Sequence, residues 1–183
     1  MRDSKTERPR NSLSGDMASA VRRIANGSNL YDVRTIAMFA RLHADAPDIG
    51  IPIAVQLALN LNSQIAGDEF RVVGKFALKA HEDGKTEKQS FFSASLHIVA
   101  YYRLHSGEKL TQEELQAFAS SNGMVHLWPY FRAFVQQSCG QFSIPPIVLA
   151  PFRVNGSLQV HIDMDENEVP KPVLGTPLEE TSQ

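Results

Sequence analysis

Between residues 30 and 104 the chain carries four long runs of alternating apolar and polar side chains, the period of strands rather than helices. Ile53–Ser63 is the cleanest, with Ile53, Val55, Leu57, Leu59 and Leu61 opposed to Ala54, Gln56, Ala58, Asn60 and Asn62. Glu69–His81 sets Phe70, Val72, Gly74, Phe76, Leu78 and Ala80 against Glu69, Arg71, Lys75 and Lys79. Gln89–Leu104 sets Phe92, Ala94, Leu96, Ile98, Ala100, Tyr102 and Leu104 against Ser93, Ser95, His97, Val99, Tyr101 and Arg103. The first run, Leu30–His43, is apolar on both faces: Ile36, Met38 and Leu42 on one, Tyr31, Val33, Ala37 and Phe39 on the other. Turn signals at Asp45–Gly50, Ala66-Gly67-Asp68 and Asp83-Gly84-Lys85 separate the runs. Short connections of this kind predict an antiparallel meander, because parallel pairs need long crossovers.

After residue 104 the period changes. Leu110-Thr111-Gln112-Glu113-Glu114 is a capping box that opens a short helix running to Ser120, with Asn122-Gly123 as its expected stop. Met124, Leu127, Trp128, Phe131, Phe134 and Val135 then recur at helical spacing, predicting an amphipathic helix of about 16 residues. Pro129 lies early in it, as a kink or restart, and Gly140 is its expected break. Ile144-Pro145-Pro146-Ile147-Val148-Leu149-Ala150-Pro151 suits neither helix nor inner strand. Near the start, Ser14-Gly15-Asp16 caps a short helix over Met17–Ala25 that Gly27 ends. The predicted class is therefore α+β, with a four-stranded antiparallel sheet followed by a short helix and one longer helix packed on it. The predicted divisions are a basic, partly disordered lead over 1–28, the α+β domain over 29–152, and an acidic, mostly disordered tail over 153–183.

Length sets up a conflict. Strands of 11 to 16 residues reach roughly 35–50 Å, whereas a 16-residue helix reaches about 24 Å. One such helix leaves part of the sheet bare, and the uncovered area predicts self-association, an apolar groove, or both.

Composition narrows the chemistry. The 183 residues are 43% hydrophobic with a formal net charge of −2, so neither nucleic acid nor an acidic membrane surface is favoured as a partner. No apolar run is long enough to span a bilayer and the charged N-terminus has no secretory core, so a cytoplasmic protein is expected. The lone Cys139 excludes an internal disulfide. The six histidines lack ligand spacing, so no metal and no cofactor is expected. Nucleotide-binding and nucleophile-elbow motifs are absent, and no enzyme activity is expected.

Trp128-Pro129-Tyr130-Phe131-Arg132, then Gly140-x-Phe142, then Ile144-Pro145-Pro146-Ile147-x-Leu149-Ala150-Pro151 resemble the SecB protein-export chaperones and the SecB-like chaperones of toxin–antitoxin systems. The resemblance covers about residues 30–152. It implies a SecB-like fold, a dimer-of-dimers homo-oligomer, and ATP-independent holding of unfolded or nascent polypeptides in apolar grooves. Implied partners are unfolded clients, with the SecA motor or an antitoxin as candidates. By position, Trp128, Phe131, Phe134 and Val135 would form the oligomer interface, while Phe142, Ile144, Ile147 and Leu149 would flank a client groove to which Tyr31, Phe39, Phe91 and Tyr101 add aromatic area. Two departures, the unlike sequence after Phe152 and the basic Arg34, Arg71, Lys75 and Lys79 on the sheet's polar faces, favour a divergent SecB-like chaperone.

Aromatic stripes on helices are usually core, so Trp128, Tyr130, Phe131 and Phe134 read first as core or subunit interface. Two other functions compete. A hot-dog-like acyl-ligand protein or thioesterase would need an acid or histidine on its central helix, where only His126 and Arg132 are ionisable. A non-catalytic oligomeric adaptor would use the same surfaces.

Overall fold

A computed structural model describes residues 15–48, 50–105 and 109–152. The predicted lead before Gly15 and tail after Phe152 lie outside the described residues. The alternating runs form one four-stranded antiparallel sheet in the order β1-β4-β3-β2. Its strands are β1 (Ser28–Leu42), β2 (Ile53–Ala66), β3 (Glu69–Glu82) and β4 (Phe92–Leu104). Strands β2, β3 and β4 follow one another as a meander, while β1 lies beyond β4 at the opposite edge from β2. The connection 43–52 permits this order. It can extend about 33 Å, whereas three strand spacings need only about 14 Å. Gly67 (φ 65°) supplies the tight turn between β2 and β3. The connection after β3 is longer than a two-residue hairpin: Gly84 (φ 83°) turns the chain, and a 3₁₀ turn over Glu87–Gln89 precedes β4.

Two register shifts interrupt β1, between Leu30 and Asp32 and between Thr35 and Ala37. Each extra residue moves the side chains beyond it to the opposite face. Strict alternation therefore misassigns this strand. Val33 pairs with Ala100 and lies on the helix-side face with Met38, Ala40 and Leu42, whereas Phe39 pairs with Ser95 on the outer face.

The helical part is α1 (Gly15–Asn26), α2 (Gln112–Phe118) and α3 (Met124–Gln141). Thr111 caps α2 by the predicted reciprocal box, its hydroxyl accepting from the Glu114 N–H while the Glu114 carboxylate accepts from the Thr111 N–H. Helix α1 packs on α2 through an Arg23–Glu114 ion pair (2.6 Å) and puts Val21 and Ile24 into the core.

Asn122-Gly123 does not end the helix, contrary to expectation. A π-helical turn over Ala119–Gly123 carries α2 into α3 with αR geometry throughout (Gly123 φ −56°, ψ −44°). The glycine is there for contact. A Cβ on Gly123 would sit 2.8 Å from Val72 Cγ1, and a Cβ on Gly74 of β3 would sit 2.9 Å from Leu127 Cδ1 and 2.6 Å from Phe76 Cε2. Missing side chains thus let helix and sheet interlock. Gly140 is likewise not a break. Helix α3 passes through it and closes after Gln141, where Ser143 takes φ 53°, the Ile144 N–H donates to Cys139 O (3.1 Å), and the Ser143 N–H donates to Gly140 O (3.3 Å). These paired bonds form a Schellman closure with serine in the usual glycine position.

Between helices and sheet, Phe70 stacks on Tyr102 at 4.7 Å with Phe118 edge-on at 5.4 Å, and Phe76 stacks on Phe131 at 5.1 Å. The helical run Gln112–Gln141 extends about 45 Å, against about 24 Å foreseen for the longer helix alone, and covers β3, β4 and the Leu61–Ser63 part of β2. Every helix-side residue of β4 is buried.

The two glycines separate packing from propensity. Gly123→Ala should lower stability by about 1–3 kcal/mol, because Val72 offers no flexible tip to move aside. Gly140→Ala meets nothing within 4 Å and should raise it by about 0.5–1 kcal/mol. Urea unfolding of both variants checks the opposite signs.

Candidate peptide-binding surface

The coverage deficit expected from sequence is confined to the sheet's margins, chiefly β1. Among the described residues β1 is hydrogen-bonded on one side only, to β4, so the N–H and C=O groups of its other edge face outward. Large apolar side chains line this strand: Met38 is 62% exposed, Ile36 54%, Tyr31 46%, Phe39 42% and Leu30 39%. At the other edge, Val55 and Ile65 of β2 are also exposed. An open edge with apolar side chains on both faces can accept another extended chain by backbone pairing, with sequence-tolerant contacts alongside.

Of the predicted client residues, the structure brings Tyr31 and Tyr101 together, their rings 6.2 Å apart, on the outer face that also carries Phe39. The Tyr31 hydroxyl donates to Glu69 Oε2 (2.9 Å), Arg103 donates to Glu69 Oε1 (2.7 Å), and the Arg103 guanidinium lies over the Tyr31 ring at 5.0 Å. Arg34 covers Tyr101 at 5.2 Å. Hydrogen bonds from Arg103 and Tyr31 hold the Glu69 carboxyl below its usual range, while partial desolvation and the Glu69 bond hold the Tyr31 phenol above its own.

The remaining predicted residues lie elsewhere. Phe91 is buried where β4 begins, its N–H donating to Ala80 O and its carbonyl accepting from His43. Phe142 packs edge-on against Phe92 at 6.0 Å. Ile144, Ile147 and Leu149 are buried in the core of this same chain. The extended segment Ile144–Phe152 is fastened to α3 by Trp128 Nε1 donating to Ala150 O at 2.8 Å. Trp128, Phe131 and Val135 point into the interior, and Phe134 is half-buried against it. The outer side of α3 instead shows Val125 and Tyr130, with Val148 of the following segment 72% exposed. Ile36 and Met38 join this surface because register shifts break the alternation of β1, whose two-sided apolar character is visible in the sequence.

Tyr102 and His126 form a semi-buried pair, Oη to Nδ1 2.8 Å, with burial lowering the His126 pKa and raising that of the phenol. The Cys139 thiol is buried and its pKa raised by desolvation, which makes it a packing group rather than a nucleophile. Among the described residues no group of three His, Cys, Asp or Glu side chains could hold a metal, and no helix is long and apolar enough to cross a membrane.

Among the described residues this arrangement defines an α+β protein, with an antiparallel sheet, a short N-terminal helix, a longer helical run interrupted by a π turn, and an open apolar edge. No family model matches the sequence. The chain is 30% identical over 100 residues to the SecB-like chaperone Rv1957 of Mycobacterium tuberculosis, an overlap of 53% of this chain and 50% of the relative. It is 37% identical over 70 residues to the SecB-like chaperone MT2006 of another strain, 37% of this chain and 39% of that one. The chain thus matches half or less of the length of these curated relatives. The solved structure of Rv1957 in complex with a ChAD peptide from the Rv1956 HigA1 antitoxin shares the fold, with TM-score 0.66 and 23% identity over 74% of this chain and 97% of that chain. By sequence the chain is similar to SecB-like chaperones over part of its length, and its α+β fold is that of the Rv1957 structure.

Two tests probe this framework. Trp128→Phe removes one hydrogen bond, costs about 1 kcal/mol, and should speed amide exchange in residues 144–152 before the rest of the chain. Because His126, His43 and His97 all titrate below their usual 6.5 when folded, the unfolded chain takes up protons first on acidification. Stability is therefore full above that value and falls as pH drops from it through the folded pKa values. Urea midpoints at pH 7.5 should exceed those at pH 5.5, and His126→Gln should reduce the gap.

Proposed function

We propose that this chain is a non-catalytic chaperone that holds unfolded polypeptide along its open strand β1. The supporting observation is the run of exposed Leu30, Tyr31, Ile36, Met38 and Phe39 beside an unpaired backbone edge. An unfolded client offers varied apolar side chains, so such a site needs hydrophobic area and backbone pairing rather than fixed geometry. Kinship with proteins named SecB-like chaperones, one of them solved with an antitoxin peptide, supports the same reading and makes an antitoxin-like segment a suitable client. Holding would be ATP-independent. The buried Phe91, Ile144, Ile147 and Leu149, with the half-buried Phe142, would shape the wall behind the groove rather than touch the client first. Self-association through the outer side of α3 would set the groove's second wall, in a dimer-of-dimers arrangement.

Added at equimolar ratio, the purified protein should suppress light scattering from a diluted, denatured client without nucleotide; unchanged aggregation refutes holding. Met38→Lys, at an exposed position, should weaken client binding about tenfold, in line with one lost apolar contact of about 1.5 kcal/mol. Wild-type affinity in that variant would remove β1 from the site. Light scattering measures the mass, and a strict monomer contradicts the assembly.

A further inference from the structure

The face of the sheet away from the helices is strongly cationic. Strand register places Arg34 and Arg41 of β1, Arg103 of β4, and Arg71, Lys75 and Lys79 of β3 on it, against only Asp32 and Glu69 among the described strand residues. Arg34 engages Asp32 and Arg103 engages Glu69, so both carboxylates are already committed. Arg41 and Lys79 depress the pKa of His43, and Lys75 that of His97, beyond the effect of burial in each case. The positive potential is therefore felt by the neighbouring groups. Yet the whole chain has a formal net charge of −2, so the compensating negative charge lies off this face.

Its densest run is Asp163-Met164-Asp165-Glu166-Asn167-Glu168, beyond the described residues. We propose that the outer face of the sheet is the docking site of this chain's own acidic segment Asp163–Glu168. Reach allows it: the segment begins eleven residues after Phe152, about 35 Å of extended chain, while a four-stranded sheet is about 14 Å across between its outer strands. Exposed ion pairs are individually weak. Tethering supplies the missing affinity, because a short link holds the segment at an effective concentration of about millimolar. A free acidic peptide has no such advantage, which favours the chain's own segment as occupant. The docked segment would neutralise the face and yield it to a more highly charged acidic partner.

Carbodiimide coupling of the full chain tests this, because it joins only lysine amines and carboxylates that are in contact. The Lys85–Glu82 pair, 2.6 Å apart, is the internal positive control. At low salt, peptide mapping should find Lys75 or Lys79 joined to Asp163, Asp165, Glu166 or Glu168. The links should vanish near 0.5 M salt, where screening acts over about 4 Å. In a variant carrying Asp163→Asn, Asp165→Asn, Glu166→Gln and Glu168→Gln, acetylation of Lys75 should quicken about threefold as the tethered cover is lost. A map showing the control link without the tail links overturns the proposal, as does unchanged Lys75 reactivity in the variant. Links seen only between differently isotope-labelled chains overturn it in favour of a second copy's segment.

Discussion

The close contact of α3 with β3, made through two absent side chains, is the constraint on which the rest of the structure depends. Gly123 lets the helix lie against Val72, and Gly74 admits Leu127 between strand neighbours. Once the helix is pressed down there, Phe131 and Trp128 fall beside Phe76, while Phe118 meets Phe70 and Tyr102. The π turn at Ala119–Gly123 lies at this point of nearest approach, which allows a straight-chain change in helical phase without breaking the run. Interiors tolerate little change in volume, so the contact also sets where the helix cannot go. Centred on β3 and β4 and reaching β2 through Gln112 and Gln116, which donate to the Ser63 and Leu61 carbonyls, it leaves most of β1 exposed.

That displacement links packing to function. The helical run buries the whole helix-side face of β4 and, on the β2 side, Leu61 and Ser63, whereas every side chain of β1 stays exposed or half-exposed. The bulges add to the effect by turning apolar residues outward on both faces of a strand that already has an open edge. The segment Ile144–Phe152, held by the Trp128 indole, closes part of the interior that the helix leaves open. Its buried isoleucines and leucine belong to the body of the chain, and the accessible apolar area is left to β1, the margin of β2 and the outside of α3.

Much of this was legible in the residues. Period-two alternation located all four strands, and the inner faces of β3 and β4 were read correctly because those strands run without bulges. The capping box at Thr111 was readable since it is a local exchange of hydrogen bonds over four residues. Gly123 reads as a helix stop on backbone grounds, yet it answers to Val72, a residue 51 positions earlier in the chain. Likewise, the aromatic positions of the helix were identified, but whether they faced the sheet or another subunit depended on which side the sheet lay.

Local chemistry by itself determined the strands, the capped helix, the amphipathic stripe and an α+β class with too much apolar sheet for a short helix. Only tertiary packing decided that β1 leaves its neighbour in sequence to pair with β4, that two helices fuse through a π turn, and that the most exposed apolar side chains of the sheet lie along β1. The reason is physical. Periodicity and capping are set by residues a few positions apart, whereas bulges, strand order and helix placement are settled by contacts between segments that meet only once the chain has folded.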